Sequence, residues 1–159
     1  MLKVRLIPTI LLKDGRMIKT RQFDTYRDVG NPRSVAKVYD AQRADELIFL
    51  DITATVENRH FLFDIISAVA EECFMPLTVG GGIRDVAQAR AILTHGADKV
   101  AINTAAVERP AFISELSKKF GNSTVVVSID YKRNAQGKNE VFTHRGTSAT
   151  GLDPVAWAK

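Results

Sequence analysis

The chain has 159 residues, of which 45% are hydrophobic, and its 22 lysines and arginines against 18 aspartates and glutamates give a net charge of +4. This balance excludes a disordered chain, and the single cysteine excludes an internal disulfide and a zinc site of the paired-cysteine kind. The basic residues are interleaved with acidic ones and no apolar run approaches the roughly 18 residues of a membrane span, so we expect a cytoplasmic protein without nucleic-acid or membrane partners.

Five short runs rich in branched apolar residues recur along the chain, separated by stretches of helical period. Such runs are too short for helices and too apolar for half-exposed strands, which is typical of buried parallel strands. The predicted strands are Val4 to Leu12, Glu46 to Ile52, Pro76 to Val79, Asp98 to Asn103 and Thr124 to Asp130, and the predicted helices are Pro32 to Ala44, Arg59 to Cys73, Val86 to His95 and Pro110 to Phe120. This alternation predicts a parallel sheet of βα units, either open or closed as a (β/α)8 barrel.

A similarity between two parts of the chain favours the barrel. The segment beginning Ala44-Asp45-Glu46 resembles the segment beginning Ala97-Asp98-Lys99, which suggests a repeat of two βα units. Asp153 and Pro154 predict the start of a fifth helix. Since a complete barrel takes about 250 residues, we expect residues 1–159 to form a single partial domain, the N-terminal five βα units of a (β/α)8 TIM barrel truncated at the fifth helix.

The segment between the first strand and the first helix gives a weaker signal. Asp14-Gly15 predicts a hairpin turn that extends the first strand. From Lys19 to Gly30 the charges follow no clear period, which favours a solvated charged loop. The alternative is a flap that brings Lys19 and Arg21 onto an anionic substrate.

Polar groups follow several of the predicted strands. Val79-Gly80-Gly81-Gly82 precedes a helix, where backbone amides can bind phosphate, and the alternative is a tight turn that needs glycine for its backbone angles. Asn103 and Thr104 end the next strand, where they reach the same phosphate or cap the following helix. Asp51 and Asp130 also end strands, and each is either an acid or base or a structural acceptor for loop amides.

Charged residues stand at the starts of three predicted strands, which places them at the opposite mouth of a barrel. They are Arg5, Glu46 and Lys99. Such charges are either solvated rim residues or a salt-bridged plug across the barrel axis, and the composition favours neither. The three histidines do not have the spacing of a ligand set, so we expect no metal site and no cofactor.

Four motifs together resemble the HisF family, the cyclase subunits of imidazole glycerol phosphate synthase. They are Leu-Lys-Asp-Gly-Arg at 12–16, Asp-Glu-Leu-Ile-Phe-Leu-Asp-Ile-Thr-Ala at 45–54, Pro-Leu-Thr-Val-Gly-Gly-Gly-Ile-Arg at 76–84 and Gly-Ala-Asp-Lys-Val-Ala-Ile-Asn-Thr-Ala-Ala at 96–106. The resemblance covers essentially the whole chain and implies the (β/α)8 barrel. It also implies a HisH-type glutaminase partner, whose ammonia enters at the N-terminal face of the barrel and is used at the C-terminal face.

The same resemblance implies roles for individual residues at both faces. At the N-terminal face the ammonia gate and the glutaminase interface are matched by Arg5, Glu46, Lys99 and Asp98. At the C-terminal face a phosphate site, a substrate-loop lysine and a catalytic-region aspartate are matched by Gly81, Gly82, Asn103, Thr104, Lys19 and Asp130. The ligand is therefore expected to be a phosphorylated small molecule.

One position departs from the cyclases. The first strand reads Thr9-Ile10-Leu11 where that family has Cys-Leu-Asp, so Leu11 takes the place of the acid/base aspartate, whose loss typically costs about 10²- to 10⁴-fold in rate. With the segment 150–154, this pattern resembles the glycosyl amidation-associated HisF-like proteins, in which the barrel passes ammonia to a separate sugar amidotransferase for surface polysaccharide. We expect that role, and the alternatives are an authentic cyclase of histidine biosynthesis and an inactive truncated fragment.

Overall fold

A computed structural model describes residues 4–21, 25–53 and 59–159 of the chain. The strands are β1 (Thr9–Lys13), β2 (Arg16–Arg21), β3 (Thr25–Gly30), β4 (Leu47–Asp51), β5 (Leu77–Gly80), β6 (Lys99–Ile102), β7 (Val125–Val127), β8 (Asp130–Arg133), β9 (Asn139–Thr143) and β10 (Ser148–Ala149). The helices are α1 (Pro32–Ala41), α2 (Arg59–Glu72), α3 (Val86–Thr94), α4 (Thr104–Glu108), α5 (Ala111–Phe120) and α6 (Pro154–Trp157).

The main sheet has seven strands in the order β3-β2-β1-β4-β5-β6-β7. The pairs β1 with β4, β4 with β5, β5 with β6 and β6 with β7 are all parallel, and helices lie between these strands along the chain. The predicted parallel sheet of alternating βα units is confirmed. Its strand order is that of part of a (β/α)8 barrel.

One face of the parallel strands packs against the helices. Burial alternates along β4, where Leu47 and Phe49 are fully buried and the residues between them are only half-buried. Ile66 of α2 and Leu116 of α5 belong to the same buried cluster. The opposite face of β4 carries Glu46, Ile48 and Leu50 at alternating positions, of which Ile48 and Leu50 are half-buried, whereas β5 is buried on both faces.

Side chains of Asn31, Asp85 and Asp153 cap the starts of α1, α3 and α6. Asp153 Oδ1 accepts from the backbone nitrogens of Val155 at 3.0 Å and Ala156 at 2.8 Å, so the predicted start of the last helix is confirmed. The four longer predicted helices are also present, with ends that differ by up to three residues. No helix in the described ranges is both long and apolar enough to cross a bilayer.

The prediction of an irregular loop from Lys19 to Gly30 is wrong. The hairpin turn at Asp14-Gly15 leads into β2, which pairs antiparallel with β1, and β3 pairs antiparallel with β2. Residues 22–24 lie outside the described residues. Strand β3 is exposed along most of its length, so its sequence shows no alternation of apolar and polar residues, and backbone pairing at the edge of the sheet decides its structure.

Four of the predicted strands are shorter than expected, the first and the last by four residues each. The first begins at Thr9 rather than Val4, because Pro8 has no N–H to donate, although its carbonyl oxygen still accepts from Ile48 at 2.9 Å. The last ends at Val127, and Asp130 instead begins a separate three-stranded sheet in the order β10-β9-β8. This small sheet was not predicted, because its strands are mostly polar and because β8 and β10 are largely exposed to solvent.

Candidate functional site

Arg5, Glu46 and Lys99 meet at the amino end of the parallel strands. Lys99 Nζ lies 2.6 Å from Glu46 Oε2, and Arg5 Nη1 pairs with Glu46 Oε1. Glu46 is only 7% exposed, whereas the Arg5 side chain is 59% exposed. A buried carboxylate held by two cations corresponds to the salt-bridged arrangement and not to a solvated rim.

The predicted sequence repeat carries the same hydrogen bond in both of its copies. Asp98 Oδ2 accepts from the backbone nitrogen of Leu77 at 2.7 Å, and Asp45 Oδ2 accepts from that of Leu6 at 2.7 Å. Each aspartate precedes the charged residue of the cluster, Lys99 or Glu46, and ties its strand to the neighbouring segment. Asp98 is exposed as a residue, so this hydrogen bond leaves part of its carboxylate at the surface.

Above the charge cluster, this face of the sheet carries Thr9, Ile48 and Thr78 at one level and an apolar row at the next. The strand register places Leu11 opposite Leu50, Leu50 opposite Gly80 and Gly80 opposite Ala101. Leu11 is half-buried within this row. Position 11 therefore contributes an apolar side chain between the charge cluster and the carboxyl ends of the strands.

The glycine loop after β5 requires glycine for its own backbone. Gly81 has φ of +115° and Gly82 of +58°, angles that favour glycine. A Cβ atom on Gly81 would lie 2.1 Å from the carbonyl oxygen of Asp51, a distance that no real contact reaches. Close packing against the end of β4 thus accounts for glycine at position 81, and the tight approach brings the loop backbone to the carboxyl edge of the sheet.

The start of α3 is already capped. Asp85 Oδ1 accepts from the backbone nitrogen of Gln88 at 2.8 Å, and Gln88 Oε1 accepts from that of Arg84 at 2.8 Å. Because the carboxylate takes up amides of this helix start, an anion at the carboxyl edge would depend on the glycine loop and its neighbours more than on α3.

Asn103 and Thr104 lie beside the glycine loop, at the end of β6. Helix α4, a short helix that was not predicted, begins at Thr104, and Asn103 makes no side-chain cap to it. Within the described residues the buried Asn103 Oδ1 has no hydrogen-bond partner. Thr104 Oγ1 accepts from the backbone nitrogen of His144 at 3.1 Å, a contact with the small sheet.

The remaining predicted site residues are spread across the carboxyl edge. Asp51 Oδ1 accepts from Thr53 through its backbone nitrogen at 2.8 Å and its hydroxyl at 3.1 Å, as expected of a structural acceptor. Asp130 is half-buried at the start of β8, while Lys19 is exposed on β2 opposite Arg27. In the strand order, β2, which carries Lys19, and β7, which precedes Asp130, are not neighbours.

The turn between β9 and β10 was missed by the sequence analysis. His144 and Arg145 have φ of +50° and +60°, a left-handed conformation that costs a residue with a side chain roughly 1–2 kcal/mol. His144 Nε2 lies 3.0 Å from Glu108 Oε1, and Arg145 Nη1 lies 3.5 Å from the carbonyl oxygen of Ile52. In the sequence, Gly146 is the residue that indicates a turn here. The turn contacts the main sheet through residues that are distant in the chain, and such contacts cannot be predicted from the neighbouring sequence.

Cys73 is buried, and the ring of His95 is stacked and hydrogen-bonded. Burial raises the pKa of the Cys73 thiol, which keeps it protonated. His95 Nδ1 lies 2.7 Å from the carbonyl oxygen of Ala91, and its ring stacks on Phe63 with centroids 4.4 Å apart. Across the described part of the chain, no three residues of the His, Cys, Asp and Glu types group as a metal site would.

A comparison with protein families gives one match. The family model described as "Histidine biosynthesis protein" matches residues 5–159. The matched range includes the charge cluster at the amino end of the strands, the apolar row above it and the glycine loop at the carboxyl end.

Proposed function

The chain belongs to the histidine biosynthesis protein family, and we propose that it is a barrel subunit that receives ammonia from a HisH-type glutaminase and binds a phosphorylated small molecule. The observation that carries the proposal is the buried Glu46 carboxylate, held by Lys99 and Arg5 on the sheet face that carries the apolar row. The glutaminase partner, the gating role of the charge cluster and the closed barrel are all parts of this proposal.

The charge cluster is suited to gating a small neutral molecule. Glu46 is buried and receives two cations, so one ion pair can open while the other still compensates its charge. Lys99 is the proposed movable member, because its compact ammonium ends a flexible stem and makes a single contact with Glu46, although Arg5 is the more exposed of the two cations. Swinging that ammonium outward would open the amino end without breaking the sheet.

The apolar row above the cluster favours NH3 over NH4+. Leu11, Leu50 and Ala101 offer no acceptor for an ammonium ion, and burying an unpaired charge is far more costly than burying a neutral molecule. In the proposed complex, ammonia released by the glutaminase enters at Glu46 and crosses this row to the carboxyl edge. Asp98, which precedes Lys99 at the surface, is proposed to contact the glutaminase.

The carboxyl edge is the proposed phosphate site. Gly81 and Gly82 bring backbone close to the end of β4, and Asn103 and Thr104 follow the adjacent strand β6. Phosphate needs several donors at one place, and two neighbouring loops at the same sheet edge can supply them. This site would hold the ligand at the end of the ammonia path.

Leu11 favours amidation over cyclisation. The side chain cannot transfer a proton, and it lies in an apolar row rather than beside a replacement carboxylate. We therefore propose that ammonia passes to a separate sugar amidotransferase. Asp130 supports the alternative, an authentic cyclase, because it retains a half-buried carboxylate just beyond β7.

Growth of a histidine auxotroph that lacks its own cyclase separates the two functions. We expect no rescue by this gene when it is co-expressed with a HisH-type glutaminase, and we expect rescue by a cyclase gene expressed in parallel. Rescue by this gene would establish cyclase activity despite Leu11 and would overturn the sugar-amidation proposal.

A further inference from the structure

The turn between β9 and β10 bridges the carboxyl edge of the main sheet. Its His144 backbone nitrogen donates to Thr104 Oγ1 at 3.1 Å, and Arg145 Nη1 lies 3.5 Å from the Ile52 carbonyl oxygen. Thr104 follows β6 and Ile52 follows β4, and β5 lies between these two strands. The turn therefore spans the strand whose end carries the glycine loop at 80–82.

The conformation of the turn is held from several sides. Thr147 Oγ1 donates to the His144 carbonyl oxygen at 2.7 Å, and Lys132 Nζ donates to that of Gly146 at 2.8 Å. The contact between His144 Nε2 and Glu108 Oε1 adds a tie to α4. Arg145 thus has a fixed backbone position over the edge of the sheet.

Arginine is an unfavourable residue at this backbone position. Its φ of +60° is one that glycine adopts without cost, and left-handed residues with side chains occur preferentially at functional sites. The strain points to a use for the side chain, since a glycine would build the same turn more easily.

The guanidinium has donors to spare. Arginine carries five N–H groups, and within the described residues the one hydrogen bond of the Arg145 side chain is the long contact with Ile52. In that part of the chain it forms no ion pair with a carboxylate. The planar fork of a guanidinium matches the oxygens of phosphate and binds them in pairs.

We propose that Arg145 is an anion-binding residue that closes over a phosphate group held at the glycine loop and Thr104. The proposal rests on the proposed function, because it assumes phosphate at that edge. It adds a charged recognition element that makes the site selective for a phosphate monoester over an uncharged sugar. The small sheet thereby becomes part of the binding site.

Titration with inorganic phosphate, followed by backbone amide shifts of Gly81, Gly82 and Thr104 at constant ionic strength, tests the proposal. We expect Arg145→Gln to weaken phosphate binding about tenfold, as expected for the loss of charge-assisted hydrogen bonds, and Arg145→Lys to weaken it less. The matched control is Arg133→Gln, which removes the same charge from the far end of the β8–β9 hairpin and should leave binding unchanged.

A further variant separates binding from folding. Arg145→Gly removes both the charge and the backbone strain, so we expect a higher melting temperature together with weaker phosphate binding. A merely structural role would move both quantities in the same direction and would overturn the proposal.

The same titration distinguishes a wrong role for Arg145 from a wrong phosphate site. If phosphate shifts the three amides equally in the wild-type chain and in Arg145→Gln, Arg145 is not a ligand and the phosphate site stands. If phosphate shifts none of them in the wild-type chain, the phosphate site proposed above is wrong and the role of Arg145 falls with it.

Discussion

The two ends of the parallel strands satisfy their polar groups in different ways. At the amino end, Glu46 is buried and its two oxygens are taken by Lys99 and Arg5. At the carboxyl end, the Asn103 Oδ1 atom is buried without a partner among the described residues, and Arg145 extends an exposed guanidinium over the edge.

This difference indicates that the two ends of the sheet face have different functions. A charge cluster that is complete by itself suits a barrier that opens and closes, because its closed state needs no ligand. An edge with spare polar groups suits a binding site, because a ligand completes it. The predictions below test whether each end behaves accordingly.

The largest effect is expected at the carboxyl end. Gly81→Ala would place a Cβ atom against the Asp51 carbonyl oxygen and force a left-handed residue, so we expect a loss of about 3–5 kcal/mol in the free energy of unfolding. Urea denaturation measures it. Gly137→Ala is the matched control, because Gly137 also has positive φ but open space around it, and it should lose about 1 kcal/mol. Equal losses would show that the close approach to Asp51 does not constrain the loop.

The next largest effect is expected at the amino end. Glu46→Ala leaves Lys99 partly buried without its carboxylate, and we expect a loss of about 2 kcal/mol in the free energy of unfolding, below the usual range for buried pairs because Arg5 is largely exposed. Glu115→Ala breaks the surface pair with Arg109 and should cost less than about 1 kcal/mol. If chemical denaturation gives the same loss for both variants, the cluster is no more than a surface ion pair.

A smaller effect is expected in the apolar row that joins the two ends. Leu11→Asp places a carboxylate opposite Leu50, and we expect a loss of about 1–2 kcal/mol with no gain of cyclase activity. Thermal unfolding and a cyclase assay with free ammonium as nitrogen source check the two parts. A substantial cyclase rate would show that the pocket is still shaped for the histidine-pathway substrate and would favour the alternative function.

The smallest effect is expected in the stability of the fold at acid pH, through the ion pair between Arg33 of α1 and Glu72 of α2. Hydrogen bonding to Arg33 lowers the pKa of Glu72 to about 2, from an ordinary value of 4.5. A lowered carboxyl pKa stabilises the fold above pH 4.5, and this contribution disappears as the pH falls toward 2. We expect Glu72→Gln to flatten the dependence of unfolding free energy on pH in that window, and Glu71→Gln to leave it unchanged. An unaltered acid profile in Glu72→Gln would show that the Arg33 pair is not formed in solution.

The sequence predicted those features that depend on local pattern or on strand order. Apolar runs and caps such as Asp153 predicted the parallel strands and helices, and strand starts placed Glu46 and Lys99 at one end. The sequence did not predict β3, whose exposed residues carry no alternation.

The turn at His144 and Arg145 was also not predictable from the local sequence. Its backbone conformation depends on pairing between β9 and β10 and on a contact with Thr104, 40 residues away in the chain.

The measurement that tests the central claim most directly compares nitrogen sources in the proposed complex of this chain with a HisH-type glutaminase and a sugar amidotransferase. Product formation is followed with glutamine and with free ammonium for the wild-type chain, for Lys99→Met and for Lys118→Met, an exposed lysine on α5 that serves as the control. We predict that Lys99→Met changes the glutamine-dependent rate and leaves the ammonium-dependent rate unaltered, and that Lys118→Met changes neither. Equal effects of Lys99→Met on both rates, or no effect on either, would contradict an ammonia gate at Glu46.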